Sequence, residues 1–314
     1  MMDEKILKGK CLYTPGGAAR EYAAVGCNFY RGCSFQCSYC YNRKGMTAKV
    51  NGLSYALLED CFTKSSHRPK KYQDMSSTDY ALAVFKGEVE KWLDHLLQHG
   101  IFFSFSTDPL FSDTAELTTK AAFYAAQKGI NVKILTKNAG ATSAIFRPLL
   151  NNKFNSHIAI GFTLTGRDDI EPYAPSNAQR IETLKLLHQW GLKTFVSIEP
   201  IVDFDSSWKM IEETAGIADQ FLIGLMSNRK ANGFEPYDIS QCNAFLHKTA
   251  LLAMDKGMKV YWKESIRAFA DSPFNQEHVF NNNAFSVDKN WDLFTNKRVP
   301  IFSFEKWQKK DKTT

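Results

Sequence analysis

Leu96-Leu97-Gln98-His99-Gly100, followed at once by Ile101-Phe102-Phe103-Ser104-Phe105, is the unit that organises this chain. An amphipathic run ends on a glycine, which takes the left-handed backbone of a helix C-terminus without steric penalty, and a short β-branched and aromatic segment follows. The same order recurs in Ala125-Ala126-Gln127-Lys128-Gly129 before Ile130–Leu135, in His188-Gln189-Trp190-Gly191 before Leu192–Ile198, and in Ala253-Met254-Asp255-Lys256-Gly257 before Met258–Trp262. Helices alternating with short buried strands predict a parallel α/β sheet with right-handed crossovers and helices on its outer face.

Helix starts agree with this reading. Asp113-Thr114-Ala115-Glu116 and Ser176-Asn177-Ala178-Gln179 have the form of capping boxes, and Leu117, Ala121, Tyr124 or Ile181, Leu184, Leu187 mark one buried face of the helix that follows. A further helix from about Asp205 would turn Trp208, Ile211 and Ala215 inward. Seven strands are expected, at about 22–29, 101–105, 131–135, 157–164, 193–198, 220–225 and 258–262. Six or so βα units are too few for a closed eightfold barrel. Residues 45–86 carry turn signals and read as a helical or irregular insertion. The segment after Lys263, with Phe269, Phe274, Phe280, Phe285, Trp291 and Phe294, reads as a cap over one end. The expected organisation is an N-terminal lead over 1–20, the barrel over 21–265, and a C-terminal cap and tail over 266–314.

With 314 residues, 44% of them hydrophobic, the chain can bury a full core. Residues Met1–Lys10 are charged and hold no apolar core of a secretion signal, and no stretch approaches the ~18 apolar residues of a membrane span, so a cytoplasmic protein is expected. The 39 basic against 33 acidic residues give +6, compatible with nucleic acid without being diagnostic. Two basic runs, Lys64 to Lys71 with His67, Arg68 and Lys70, and the tail with Lys306, Lys309, Lys310 and Lys312, read either as phosphate contacts or as solvated segments.

Three of the seven cysteines stand together in Cys33-Ser34-Phe35-Gln36-Cys37-Ser38-Tyr39-Cys40. In a reducing compartment such a group points to metal ligation rather than disulfides. A closed zinc site wants four protein ligands, whereas three thiolates on an iron–sulfur cube leave one iron open to a substrate-like ligand. Two alternatives stay open. One is a zinc site completed by a distant residue such as His67, in a structural or nucleic-acid-binding protein without radical chemistry; the other is a barrel that binds its cofactor without turnover. Cys11, Cys27, Cys61 and Cys242 read as packed thiols.

With Tyr39 directly before the last cysteine, the stretch resembles the C-x3-C-x-aromatic-C motif of the radical S-adenosylmethionine (radical SAM) enzymes. The longer string from Asn28-Phe29-Tyr30-Arg31-Gly32-Cys33 through Cys40-Tyr41 is similar to their spore photoproduct lyase-like branch, and the resemblance covers about residues 21–265. It implies a partial (β/α)6 TIM-like barrel with an open side, and a 4Fe-4S cluster on Cys33, Cys37 and Cys40. S-adenosyl-L-methionine would chelate the open iron, with Tyr39 beside its adenine. One electron from a reduced flavodoxin or ferredoxin-type donor would split the sulfonium, and the resulting 5′-deoxyadenosyl radical would take hydrogen from a substrate, in this branch a nucleic-acid base. That branch uses a downstream cysteine as hydrogen donor, for which Cys61 and Cys242 are candidates whose spacing does not match.

In parallel barrels the loops leaving the C-terminal strand ends build the active site. Ser106, Thr107 and Asp108 end the second expected strand where relatives bind the methionine ammonium, although many relatives carry Gly-Gly-Glu there; helix capping is the competing role. Lys137, after the third, is placed to meet the cofactor carboxylate through a charge-assisted bond. Thr163 and Thr165 share a face of the fourth strand if alternation holds, and would point at the ribose. Glu199, at the strand stop before Pro200, reads as a ribose or substrate ligand or as half of a salt bridge. Lys263, followed by Glu264 and Arg267, reads as a substrate contact or an internal pair. Asn228, Arg229 and Lys230 read as an ordinary loop or as substrate contacts.

Overall fold

A computed structural model of the chain describes residues 6–64, 66, 68–140 and 155–298. Nine strands form one sheet whose order in space is their order along the chain. They are β1 (Leu12–Tyr13), β2 (Gly26–Cys27), β3 (Ile101–Phe103), β4 (Val132–Thr136), β5 (Ile158–Thr163), β6 (Lys193–Ile201), β7 (Gln220–Leu225), β8 (Val260–Trp262) and β9 (Ser286–Val287). Only β1 runs antiparallel to its neighbour; every later pair is parallel. Helices α1 (Ser77–Lys91) and α2 (Leu93–His99) precede β3, and α3 (Ala115–Gln127) precedes β4. Then α4 (Asn177–Gln189), α5 (Phe204–Thr214) and α6 (Ile239–Lys256) precede β6, β7 and β8, and α7 (Glu264–Phe269) follows β8. This is the expected partial barrel, all seven expected strands being present with two short edges added.

Side-chain alternation along the strands makes two cores. The outward set, including Val132, Ile134, Ile160, Val196, Ile198, Phe221 and Ile223, packs against Leu117, Ala121, Leu184, Leu187, Ile211 and Leu246 of the helices. The inward set is Phe102, Ala159, Phe195 and Leu222, with Leu135, Tyr22, Phe105 and Tyr261 beside them. Register fixes the inner layers: Phe102 pairs with Lys133 and Lys133 with Ala159, while Leu135 pairs with Gly161 and Gly161 with Phe195. A Cβ on Gly161 would come within 2.3 Å of the Phe195 ring, so the strand needs glycine where that ring fills the interior.

The C-terminal segment decides which end is open. Leu293 is fully buried in the inner core and Phe294 packs beside it. Lys259, just before β8 begins, lies 5.7 Å from the Trp291 ring. The cap therefore closes the end where strands start, and leaves the C-terminal ends to the loops.

Local details depart from the sequence reading in four places. The Ser176 box forms, Ser176 Oγ accepting from Gln179 N at 3.2 Å and Ser176 N donating to Gln179 Oε1 at 2.9 Å. The Asp113 box does not: α3 starts at Ala115, and the Thr114 hydroxyl donates instead to Asp108 O at 2.9 Å. In α5 the buried stripe is Phe204, Ser207, Met210, Ile211 and Thr214, so Trp208 sits at its edge, under the Lys248 ammonium. Helix α1 begins inside the expected insertion because Ser76 caps it, accepting from Asp79 N at 3.1 Å. Finally, the basic run is not one surface. The Arg68 guanidinium donates to Phe62 O and Met75 O, each at 2.7 Å, and to Ser77 Oγ at 2.6 Å. Lys64 pairs with Asp60 at 2.8 Å, and His67 and the C-terminal lysines lie outside the described residues.

Leu293→Ala is expected to cost about 2–5 kcal/mol in urea unfolding, since it empties a fully buried site. Leu251→Ala, on the exposed side of α6, is expected to stay within about 0.5 kcal/mol. Equal midpoints for the two would show that the cap is not part of the barrel's core.

Candidate functional site

The cysteine loop leaves β2 at the open end. Cys33 N donates to Leu53 O at 3.1 Å, Ser38 N to Ile170 O at 3.0 Å, and Cys40 N to Cys37 O at 3.1 Å, so both flanks of the loop are pinned. Its curl needs left-handed backbone at Gly32 and Gln36, with φ of 81° and 51°. A Cβ at Gly32 would also fall 2.2 Å from Tyr55 O. On the far side, Asn42 Nδ2 donates to Phe105 O at 3.0 Å and the Tyr41 hydroxyl to the same oxygen, which docks the loop onto the end of β3.

Cys33, Cys37 and Cys40 all carry free thiols. Burial pushes the Cys33 thiol up to about 12, the neighbouring Phe35 and Asp108 backbone acting the other way. Burial also raises Cys37. Thiols held in this way become thiolates by exchanging their proton for a metal cation. Among the described residues no three His, Cys, Asp or Glu side chains converge on a single ion position. A cube makes no such demand, because its three thiolates bind three separate irons; the donor set, three free thiols on one pinned loop, fits it.

Beside the thiols lies a buried group that spans two elements. Glu171, in the loop after β5, and Arg180, on α4, are both fully buried, with Arg180 Nη2 2.7 Å from Glu171 Oε2. The contact falls outside hydrogen-bond angles and is an ion contact. Arg180 is held from behind by Thr163 O at 2.9 Å and Pro175 O at 2.8 Å. The Tyr39 hydroxyl donates to Glu171 Oε1. Lys137 Nζ approaches the same oxygen at 3.8 Å and lies 5.5 Å from the Tyr39 ring. Its pKa is shifted upward: burial lowers it, and the neighbouring Cys37 and Glu171 more than reverse that.

Ser106, Thr107 and Asp108 are buried at the end of β3, and they differ in what they have left to offer. Asp108 Oδ1 accepts from Leu110 N at 3.0 Å and from Thr136 Oγ1 at 2.7 Å, and Oδ2 accepts from Lys137 N at 2.8 Å. The Ser106 hydroxyl donates to Tyr30 O at 2.5 Å. Of the three side chains, Thr107 alone has a buried hydroxyl with no hydrogen-bond partner among the described residues. The three residues thus come together where sequence placed them, but Asp108 acts as a clasp between the ends of β3 and β4.

Glu199 and Lys263, read separately from sequence, form one ion pair across β6 and the end of β8. Lys263 Nζ donates to Glu199 Oε2 at 2.5 Å and stands 3.6 Å from Glu21 Oε2. The Tyr22 hydroxyl donates to the same Glu199 oxygen at 2.5 Å and shares a 2.8 Å bond with Ser197 Oγ. Gly224 makes room for them, since a Cβ there would lie 3.0 Å from Lys263 Cδ and 3.1 Å from Glu199 Oε1. Thr163 is the last residue of β5 and pairs with Ser197 in register. Thr165 falls beyond the strand, its hydroxyl accepting from Arg167 N at 3.2 Å, so the two threonines do not form one face.

The two candidate hydrogen donors lie elsewhere. Cys242 is fully buried on α6 in the outer core, and Cys61 packs against that same core from the insertion. Arg229 donates to Val202 O at 2.7 Å and stacks 3.9 Å above Tyr237, a loop-fastening role. Sequence reading missed Glu171, Arg180, Tyr22 and Glu21. For Arg180 a signal existed: positions 177, 180, 184 and 187 repeat at helical spacing, which places it on the buried stripe of α4.

A scan against protein-family models finds no match. An uncharacterized protein of Methanocaldococcus jannaschii is 31% identical over 117 residues, 35% of this chain and 43% of that protein. Spore photoproduct lyase complexed with dinucleoside spore photoproduct superposes with a TM-score of 0.51 at 14% identity, over 70% of this chain and 62% of the lyase. Streptococcus suis SuiB bound to S-adenosylmethionine gives 0.49 at 10% identity, over 83% of this chain and 58% of SuiB. The matched regions span less than half of the archaeal relative and under two thirds of the lyase. The lyase likeness is one of fold: the chain has the partial-barrel fold of spore photoproduct lyase, as its cysteine motif's resemblance implies.

Asp108→Asn is expected to destabilise the protein by about 1–3 kcal/mol in urea unfolding, because an amide cannot accept at both ends and leaves a buried N–H unmet. An unchanged midpoint would remove the clasp role.

Proposed function

We propose that the chain is a radical SAM enzyme in which Cys33, Cys37 and Cys40 hold a 4Fe-4S cluster. The observation that carries this reading is the placement of three free thiols, Lys137 and the unpartnered Thr107 hydroxyl together at the open end of a fold shared with spore photoproduct lyase. When bound, the cluster and S-adenosylmethionine supply one-electron cleavage of the sulfonium and abstraction of a substrate hydrogen.

The chain's own residues orient that chemistry. Lys137 offers a charge to the methionine carboxylate. Thr107 offers a free hydroxyl to the ammonium, in place of Asp108 and Ser106, whose groups are engaged. Tyr39, fixed through its hydroxyl by Glu171, presents its ring beside the adenine. Glu199 Oε1, left over once Oε2 has taken Tyr22 and Lys263, accepts from the ribose with Thr163 alongside. The apolar floor of Phe102, Phe105 and Leu222 excludes water beneath. The substrate class we favour is a nucleic-acid base, on the strength of the lyase likeness, with a reduced flavodoxin or ferredoxin-type protein as electron source. Neither Cys61 nor Cys242 supports the lyase's second half-reaction here.

Anaerobic reconstitution should give about four irons per chain and reductant-dependent 5′-deoxyadenosine. Cys37→Ala is expected to lose most of the iron and all cleavage; a full iron complement in that variant sinks the cluster assignment. Lys137→Met is expected to weaken S-adenosylmethionine binding by about tenfold or more in anaerobic calorimetry, the cluster spectrum staying as it was. For the substrate, single-stranded DNA should bind at low salt, and Lys70→Gln with Lys71→Gln should flatten the salt dependence. No binding to DNA or RNA under those conditions would redirect the search to peptides or small molecules.

A further inference from the structure

We infer that Glu171 and Arg180 are positioning residues which keep Lys137 available to an anionic ligand group. This inference rests on the reading of Lys137 given above. The group contains one carboxylate and two cations, so it carries one positive charge in excess. How that excess is distributed follows from distance and burial. Arg180 is 2.7 Å from Glu171 and both are fully buried, whereas Lys137 is 3.8 Å away and 16% exposed. Coulomb attraction is stronger for the closer and drier pair. Arg180 therefore satisfies most of the Glu171 charge, and Lys137 keeps most of its own over the Tyr39 ring of the cysteine loop.

The Arg180 guanidinium has no freedom to change this division, being tied to Thr163 O and Pro175 O. Glu171 in turn holds the Tyr39 hydroxyl, so the carboxylate that frees Lys137 also fixes the ring next to it. A buried ion pair is seldom the most stable way to fill such a space, and apolar residues of similar volume commonly do as well or better. What an apolar pair would not do is hold Lys137 near its place while leaving its charge unspent. Without Arg180, Glu171 would take Lys137 as its sole cation and withdraw it from any incoming carboxylate.

The test is anaerobic calorimetry on reconstituted protein without reductant, with two probes, S-adenosylmethionine and its decarboxylated form. Arg180→Gln is expected to bind S-adenosylmethionine about tenfold more weakly, a factor within the range of one charge-assisted bond, and to bind the decarboxylated probe as before. Arg180→Lys keeps the charge, loses the backbone bonds, and is expected to keep the affinity. The double variant Glu171→Gln/Arg180→Gln returns the group to a single positive charge and should recover most of the loss. A folded Arg180→Gln protein with unchanged affinity overturns the inference, as does a double variant no better than Arg180→Gln. If Arg180→Gln does not fold, Arg180→Lys and the double variant decide, since a purely structural arginine predicts that both bind poorly. Unchanged binding by Lys137→Met would instead remove the carboxylate reading itself, and this inference with it.

Discussion

The Asp108 carboxylate ties together three things that the open end of the barrel cannot do without. Its oxygens take the backbone amides of Leu110 and Lys137 and the hydroxyl of Thr136, which locks the end of β3 to the end of β4. Its own amide acts on the Cys33 thiol, so the clasp stands next to the cysteine loop. Burial holds this carboxyl group above the usual carboxylate range, and the bonds to Lys137, Thr136 and Leu110 offset only part of that rise. A neutral acid would have to surrender one of those acceptor positions.

That local constraint works only because the two ends of the sheet have different fates. Leu293 and Phe294 pack into the inner core at the end where strands begin, which leaves the loops that follow the strands to bound the other end. Thr107, Lys137 and the second oxygen of Glu199 keep polar capacity at that end. The floor beneath them is aromatic and aliphatic, with Phe102 and Phe105 stacked at 4.7 Å and Tyr22 tilted against Phe102 and edge-on to Phe105. Where polar rim meets apolar floor, charges interact through little solvent.

The alternation of helix, glycine and strand was legible in the chain, because each glycine answers a backbone need that no other residue meets cheaply; Gly100, Gly129, Gly191 and Gly257 all have positive φ. The positions of Cys33, Cys37, Cys40 and Lys137 were legible for a different reason, namely that strand ends expose their followers to one rim. What could not be read was the partner of each polar group. Asp108 follows a strand as a ligand would, yet its neighbours from another strand consume it. Thr114 has the sequence context of a capping box and spends its hydroxyl on a carbonyl that only the fold brings near. Glu199 and Lys263 are 64 residues apart, and nothing local announces their pairing. Arg68 sits in a run of positive charge and serves as a staple, because four acceptors surround it.

Three lysines inside the barrel show how surroundings rather than residue type assign a role. Lys263 is 1% exposed between Glu199 and Glu21, with its ammonium 4.0 Å over the Tyr22 ring, and so its charge is fully met within the protein. Lys133 faces inward near the sealed end, where burial disfavours its charge and Asp292 compensates only in part. Lys137 has a share of one carboxylate that Arg180 already holds. A cation that is neither neutralised nor discharged is expensive to keep unless something anionic completes it. By that criterion the anionic group we propose at the open end belongs beside Lys137, which only shares a carboxylate, and not beside Lys263, whose charge two carboxylates meet.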